Sequence, residues 1–302
     1  AASSRGARGA DGPPGSAGAQ VYRVRKEHCN PAMFHLYKEP VMITEGRMQY
    51  LYDEQGKRYL DGFGGIVTIS VGHCHPKVVE AARDQVGKLV HAQYATVTHP
   101  NMLRLTDRLY EHLPRHLDAV AFSNSGSEAV ETALRLARQA SGRPNIIAFT
   151  GGFHGRTHLT MGLTSKVAPY REGLGIGPAG IHHLPFPCAA EGVSVADTLA
   201  ALDRLFRADI APKDVAAIII EPVQGEYGYY PATKRFMQGL RERCDKHGIL
   251  LIADEIQAGY GRTGRFWSHE HFDVQPDMLI TAKGLASGYP LSAIAASKAA
   301  LE

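Results

Sequence analysis

A lysine, four carboxylates and an arginine follow closely on apolar runs in this chain, where a buried strand would deliver them to one edge of a sheet. Lys283 follows "DMLITA". Asp254 follows "ILLIA", with Glu255 beside it and Gln257 three residues on. Glu221 follows "VAAIII", with Glu226 five residues on. In "GGFHGRT", after "NIIAFT", Phe153 offers a planar face, His154 a titratable ring and Arg156 a fork suited to a carboxylate. In "NSGSEAVETALRLAR", Ser125 is followed three residues later by Glu128, the pattern of a capping box, so a helix starts around Gly126 and Ser127. The bare N–H groups at such a start suit a phosphate.

Each feature has a plainer reading. A capped helix need bind nothing, a loop lysine is usually solvated, and a strand that ends on two acids has often just reached water. Together the set has a task. Pyridoxal phosphate needs a lysine for its Schiff base, an acid against its pyridine nitrogen, a helix N-terminus for its phosphate and an aromatic face for its ring. Asp254 is then the strand-end carboxylate that meets the pyridinium. Glu255, on the opposite face of the strand, is structural.

Elements able to position these residues are legible along the chain. "MQYLYDEQGKRYLDGFGG" alternates around a turn at Glu54–Gly56 and predicts a hairpin. "PKVVEAARDQVGKLV" and "PNMLRLTDRLYEHL" carry helical periodicity. Thereafter strands ("AVAFSN", "NIIAFT", "VAAIIIEP", "ILLIADE", "DMLITAK") alternate with helices ("SEAVETALRLARQAS", "TLAALDRLFR", "TKRFMQGLRERCDKHG"). Near-continuous Val/Ile/Leu strands between helices predict an α/β fold with a mostly parallel sheet covered on both faces. Such sheets bind ligands at the carboxyl ends of their strands, where the residues above stand. The expected organisation is a disordered or targeting-like tail over residues 1–20, an N-terminal segment with the hairpin over 21–70, and a large domain over 71–302.

Composition narrows the function. The 302 residues are 44% hydrophobic and 21% charged, ample for a large core. A net charge of +3 without any long Lys/Arg run argues against nucleic acid. No apolar run is long enough to suggest a membrane span. Four scattered cysteines without a C-x-x-C pair read as reduced thiols of an intracellular protein, cytoplasmic or mitochondrial. Fifteen histidines, with H-x-H in "GHCHP" and "SHEHFD", raise a metal-dependent hydrolase as a rival. Those stretches lie away from the strand ends and no H-E-x-x-H occurs, so no metal is expected. His154 and His158 have the spacing of a metal pair on a helix, but the glycines around them argue against a helix there.

With "YLDGFGGIVTISVGHCHP", "FSNSGSEAVETALRLAR", "GGFHGRT", "IIIEPVQGEYG" and "IADEIQAGYGRTGRFWSHEHFDVQPDMLITAKGLASGYPLSA" assembled, the chain resembles the class III pyridoxal-phosphate aminotransferases from about Tyr22 onward. The resemblance implies the fold-type-I architecture and a homodimer with a shared active site. It implies Lys283 as Schiff-base lysine and proton carrier, Asp254 on the pyridinium, and Gln257 on the ring's phenolic oxygen. It also implies Gly126 and Ser127 on the phosphate, Phe153 stacked on the ring with His154 near it, and Glu221 in support. Arg156 matches an arginine that meets a substrate carboxylate, and Glu226 an acid that pairs with a gating arginine. "GIVTISVGHCHPKV" is most similar to the alanine–glyoxylate type. "GGFHGRT", "YREGLG" and "HHLPFP" are more similar to 4-aminobutyrate aminotransferase, and ornithine and acetylornithine enzymes share the arginine. Best matched is an ω-amino acid donor, 4-aminobutyrate above all, with a 2-oxo acid acceptor such as 2-oxoglutarate or pyruvate. Racemases, aminomutases and decarboxylases share the scaffold. The family continues well past its lysine, whereas this chain stops nineteen residues beyond Lys283. It therefore reads as a fragment without the C-terminal small domain, one that could be a non-catalytic form by itself.

Overall fold

The computed structural model describes residues 17–29 and 41–301. Of the tail expected over 1–20, residues 1–16 lie outside the described residues. Residues 17–20 instead open a helix, Ala17–His28.

Two compact units divide the described residues. The smaller holds those up to Gly64 together with Val71–Val90; the larger holds Gly65–Ser70 and those from His91 on. In the smaller unit β1 (Ile43–Arg47), β2 (Tyr50–Asp53) and β3 (Arg58–Leu60) form an antiparallel meander. The predicted hairpin turn lies between β2 and β3. Asp53 fixes it by accepting from the Gln55 and Lys57 N–H groups and from the Tyr59 hydroxyl, and Gly56 supplies the left-handed residue at φ +78°. Residues 71–90 join this unit because Met48 and His73 exchange two backbone hydrogen bonds and the His73 ring meets Asp61 Oδ2 at 2.6 Å.

The larger unit is built on a seven-stranded sheet. Its strands are β4 (Ala119–Ser123), β5 (Asn145–Phe149), β6 (Ile181–Leu184) and β7 (Val215–Ile220), then, beyond the short ribbon of β8 (Val223–Gln224) and β9 (Tyr230–Pro231), β10 (Leu250–Asp254), β11 (Met278–Thr281) and β12 (Ser292–Ala296). The order is β4-β12-β11-β10-β7-β5-β6. Every strand runs in one direction except β12, which lies antiparallel between β4 and β11. In the interior strand β7 all six residues are buried, and Ala217 to Ile220 alternate between two cores. Ile218 and Ile220 pack with Phe236, Met237 and Leu240 of the helix Lys234–His247. Ala217 and Ile219 pack with Val130, Ala133 and Leu134 of the helix Gly126–Ser141. Each large side chain so buried contributes about 1.5–3 kcal/mol, which is what fixes both helices on the sheet.

The mostly parallel sheet covered on both faces is thus the one its Val/Ile/Leu runs predict. Two strands escape that reading. In β6, "IHHL" carries two histidines, and in β12, "SAIAA" is mostly small residues that favour no strand. Register supplies what propensity does not: β12 is buried throughout, and its Ile294 and Ala296 fill space beneath the helix Gly126–Ser141. No helix of the described residues is long and apolar enough to cross a membrane.

Candidate active site

Because six strands share one direction, the residues after β4, β5, β7, β10 and β11 gather at a single edge of the sheet. A cavity of about 280 Å³ opens there. Nine of the ten residues singled out from the sequence line it: Gly126, Ser127, Phe153, His154, Arg156, Glu221, Asp254, Gln257 and Lys283. Glu226 does not.

On the β4 side, the helix Gly126–Ser141 begins at the cavity. Ser125 has an extended backbone and its Oγ accepts from Glu128 N–H, while Glu128 Oε2 accepts from Ser125 and Asn124 N–H, both at 2.8 Å. The capping box thereby satisfies donors behind the first turn and leaves the helix start facing the cavity. Gly155, at φ +128°, must be glycine, since a Cβ there would lie 2.4 Å from Ser127 Oγ.

Asp254 ends β10 with its carboxylate buried. Its Oδ1 accepts from Ile256 N–H at 3.1 Å and its Oδ2 pairs with His154 Nδ1 at 2.7 Å. His154, expected beside the cofactor ring, thus supports the acid. Its own N–H donates to Thr164 Oγ1, which donates onward to Gly155 O. Burial disfavours the charged imidazole, yet the hydrogen bond and charge of Asp254, helped by Glu221, hold its pKa above the ordinary value.

Glu221, just past β7, accepts from Phe153 N–H at 2.8 Å and Gly225 N–H at 3.1 Å. Burial pushes it up to about 7, against the pull of the His154 charge and these two hydrogen bonds. Gly225 also leaves room for Gln257, whose Oε1 lies 1.2 Å from where a Cβ would stand.

Lys283 follows β11 at φ +38°, a left-handed conformation that costs a non-glycine residue energy and is held by its surroundings. Burial lowers its pKa, and the negative charges of Glu226, Asp254 and Glu221 oppose that fall. The outcome is an amine that sheds its proton more readily than a solvated lysine.

Arg156 lines the cavity but is exposed, whereas its proposed task of gripping a carboxylate suggested a buried group. Sequence reasoning passed over Thr68, Ala282 and the stretch Tyr289–Leu291, which also line the cavity. Only Ala282, beside Lys283 at the end of β11, had a signal of its own, its place at a strand end.

Glu255 points away from the cavity. Its two oxygens accept from Ser268 N–H and Oγ–H and from His269 N–H, at 2.7–2.9 Å, and meet His269 Nδ1 at 3.1 Å. Three of the four histidines of the H-x-H pairs are likewise engaged, His73 with Asp61, His269 with Glu255 and His271 with Thr263, while the buried Nδ1 of His75 has no hydrogen-bond partner. Among the described residues no three His, Cys, Asp or Glu stand together as a metal-binding group.

Comparison with known proteins agrees with this geometry. The sequence model of the family described as Aminotransferase class-III matches residues 34–302. The chain is 45% identical to the 5-aminovalerate aminotransferase DavT of Pseudomonas aeruginosa, covering 85% of this chain and 60% of that protein. It is 43% identical to the 4-aminobutyrate aminotransferase GabT of Escherichia coli, covering 84% and 60% respectively. A taurine:2-oxoglutarate aminotransferase from Bifidobacterium kashiwanohense, solved with PLP and glutamate, superposes with a TM-score of 0.87 at 30% identity, covering 94% of this chain and 66% of that one. The chain therefore spans about 60% of the length of the curated relatives it matches. With its family model matched over most of its length and its sheet-edge cavity in place, the chain belongs to the class-III aminotransferases.

Proposed function

We propose that this chain is the cofactor-binding part of a homodimeric enzyme that uses pyridoxal 5'-phosphate to move an amino group from an ω-amino acid, 4-aminobutyrate first, to a 2-oxo acid such as 2-oxoglutarate or pyruvate. One observation carries the reading. A half-buried lysine, a buried aspartate and the start of a capped helix line the same cavity, and these are the three groups the cofactor requires. The names of the relatives, whose donors are a four-carbon and a five-carbon ω-amino acid, support the substrate class.

The donor set fits the group. The helix start at Gly126 and Ser127 would hold the phosphate, and Asp254 the ring nitrogen, since its carboxylate retains acceptor capacity beyond His154 and Ile256. Phe153 would cover the ring, Gln257 would bond its phenolic oxygen, and Glu221 would brace the Phe153 and Gly225 backbones around it. When bound, pyridoxal phosphate supplies an electron sink for charge that develops on the substrate carbon. The chain's own part is to hold and move protons. Lys283, with its pKa lowered by burial, gives up its proton more readily than a solvated lysine and so suits a nucleophile and base. Asp254, kept in place by His154, offers a fixed negative charge. Arg156, at the rim, would take the carboxylate remote from the amine. Four free cysteines, Cys29, Cys74, Cys188 and Cys244, suit a reducing compartment, cytoplasmic or mitochondrial.

A second reading, an alanine–glyoxylate type with no remote carboxylate, is favoured by the exposure of Arg156. Specificity constants decide between the two. In the holoenzyme, Arg156→Ala should cost about tenfold in kcat/KM for 4-aminobutyrate, the lower end for a charge-assisted hydrogen bond because the group is exposed. Butylamine, which has no carboxylate, should be unaffected. Equal losses on both would make Arg156 structural and move the second reading ahead.

A further inference from the structure

The loop of residues 151–157 is fastened to the helix Gly126–Ser141 at two points one turn apart. Ser127 and Glu131 stand at i and i+4 and so share a face of that helix. At the first point the Ser127 hydroxyl oxygen accepts from Arg156 N–H at 3.4 Å, with the Gly155 backbone pressed against it. At the second the Thr157 hydroxyl donates to Glu131 Oε1 at 2.6 Å. Among the described residues Glu131 makes no ion pair, not even with Arg135, the usual partner at i+4 spacing. Its carboxylate serves the loop instead.

A run of hydroxyls ends on that carboxylate. Thr157 opens the helix His158–Leu163. Thr160 Oγ1, in a fully buried residue, accepts from Thr157 N–H at 2.9 Å and lies 2.8 Å from Thr157 Oγ1. Because the Thr157 hydroxyl proton is committed to Glu131, Thr160 is the donor in that pair. Thr160 Oγ1 also stands 2.7 Å from where a Cβ on Gly155 would lie. Glu131 thus orders the hydroxyls behind Gly155, and with them the backbone that presses on Ser127. An N–H feeding the Ser127 oxygen leaves the serine's own proton free to donate elsewhere, and a phosphate takes such donors.

We propose that Glu131 is a positioning residue for the cofactor's phosphate: by accepting the Thr157 hydroxyl it pins residues 155–157 along the helix, so that Ser127 keeps its proton for the phosphate. The inference rests on the cofactor reading given above. Glu131 does not line the cavity; it acts through Thr157 and Ser127.

To test it, the holoenzyme is resolved of its cofactor and titrated with pyridoxal phosphate and with pyridoxal, which lacks the phosphate, following the visible-edge absorbance. The ratio of the two dissociation constants isolates the phosphate's share of binding. Glu131→Ala should cut the preference for pyridoxal phosphate about fivefold, the scale of one net hydrogen bond, while pyridoxal binds as before. Thr157→Val should do the same, and the double variant no more than either alone, because each removes the same link. Glu131→Gln, whose amide oxygen still accepts the hydroxyl, should hold the preference within about twofold. An unchanged preference in Glu131→Ala or Thr157→Val, equal weakening of both ligands, additive losses in the double variant, or a loss in Glu131→Gln as large as in Glu131→Ala would each overturn the proposal. Ser127→Ala separates the two levels. If it lowers the preference while Glu131→Ala does not, this inference alone falls. If it leaves the preference unchanged, the reading of Ser127 at the phosphate falls and takes this one with it.

Discussion

Asp254 and Glu255 are adjacent carboxylates at the end of one strand, buried alike at 3% and 0% exposure, yet their surroundings differ in kind. Glu255 meets four donor groups drawn from two consecutive residues, Ser268 and His269. Its acceptor capacity is used up, and it ties the end of β10 to the segment Ser268–Phe272. Asp254 has two partners, His154 and Ile256 N–H, and borders a cavity that Lys283 also lines. Burying a carboxylate is costly unless its oxygens are satisfied. One neighbour meets that cost inside the protein, and the other keeps lone pairs for something that arrives. Unspent hydrogen-bonding capacity beside a cavity, rather than burial or charge, is what separates the acid proposed to meet the cofactor from its structural neighbour.

That contrast can be broken by exchanging each acid for its amide. The largest effect is expected for Asp254→Asn. An amide cannot hold a pyridinium charged, so turnover should fall by orders of magnitude while the thermal midpoint moves little. Normal turnover in this variant would remove Asp254 from the site. Glu255→Gln should do the reverse. Its amide would turn N–H groups toward donors that now face a carboxylate, costing on the order of 3 kcal/mol of stability. Denaturant midpoints should drop at constant m-value, while the folded enzyme keeps its kcat/KM. A loss of activity to match Asp254→Asn would erase the distinction between the two acids.

The smallest effect concerns pH. Glu221 is raised from 4.5 to about 7, chiefly by burial. A carboxyl whose folded pKa is raised binds its proton more tightly in the folded state than in the unfolded one. Its stabilising contribution is therefore complete below about pH 4.5 and is lost as pH climbs through about 7. Glu221→Gln should flatten the decline of melting temperature across that window. An unaltered slope would assign the decline to other groups, His154 first among them, since its raised pKa acts in the same direction.

Much of this site is legible in the sequence because the signals are local. A capping box is written within four residues, as Ser125 and Glu128 show, and a strand that ends on a polar residue announces both the strand and its edge. The sheet direction then brings distant strand ends together without any further information. What the sequence does not display is pairing across the chain. His154 lies 100 residues from Asp254 and Tyr170 lies 56 from Glu226. No periodicity links such positions, so neither pairing could be read from the residues that take part in it. The strand β12 was hidden for a related reason: its small residues answer to the helix above it and to its neighbours in register, not to their own propensity. The exposure of Arg156 is likewise a property of its surroundings, which a motif does not record.

The central claim is that Lys283 is the residue that carries pyridoxal phosphate. Reduction of the holoenzyme with borohydride, followed by proteolysis and mass spectrometry, tests it most directly. Covalent fixation of the cofactor on the peptide containing Lys283, with loss of the visible-edge absorbance and no fixation in Lys283→Ala, is the predicted result. Fixation on another lysine, or a borohydride-reducible adduct that persists in Lys283→Ala, would contradict it.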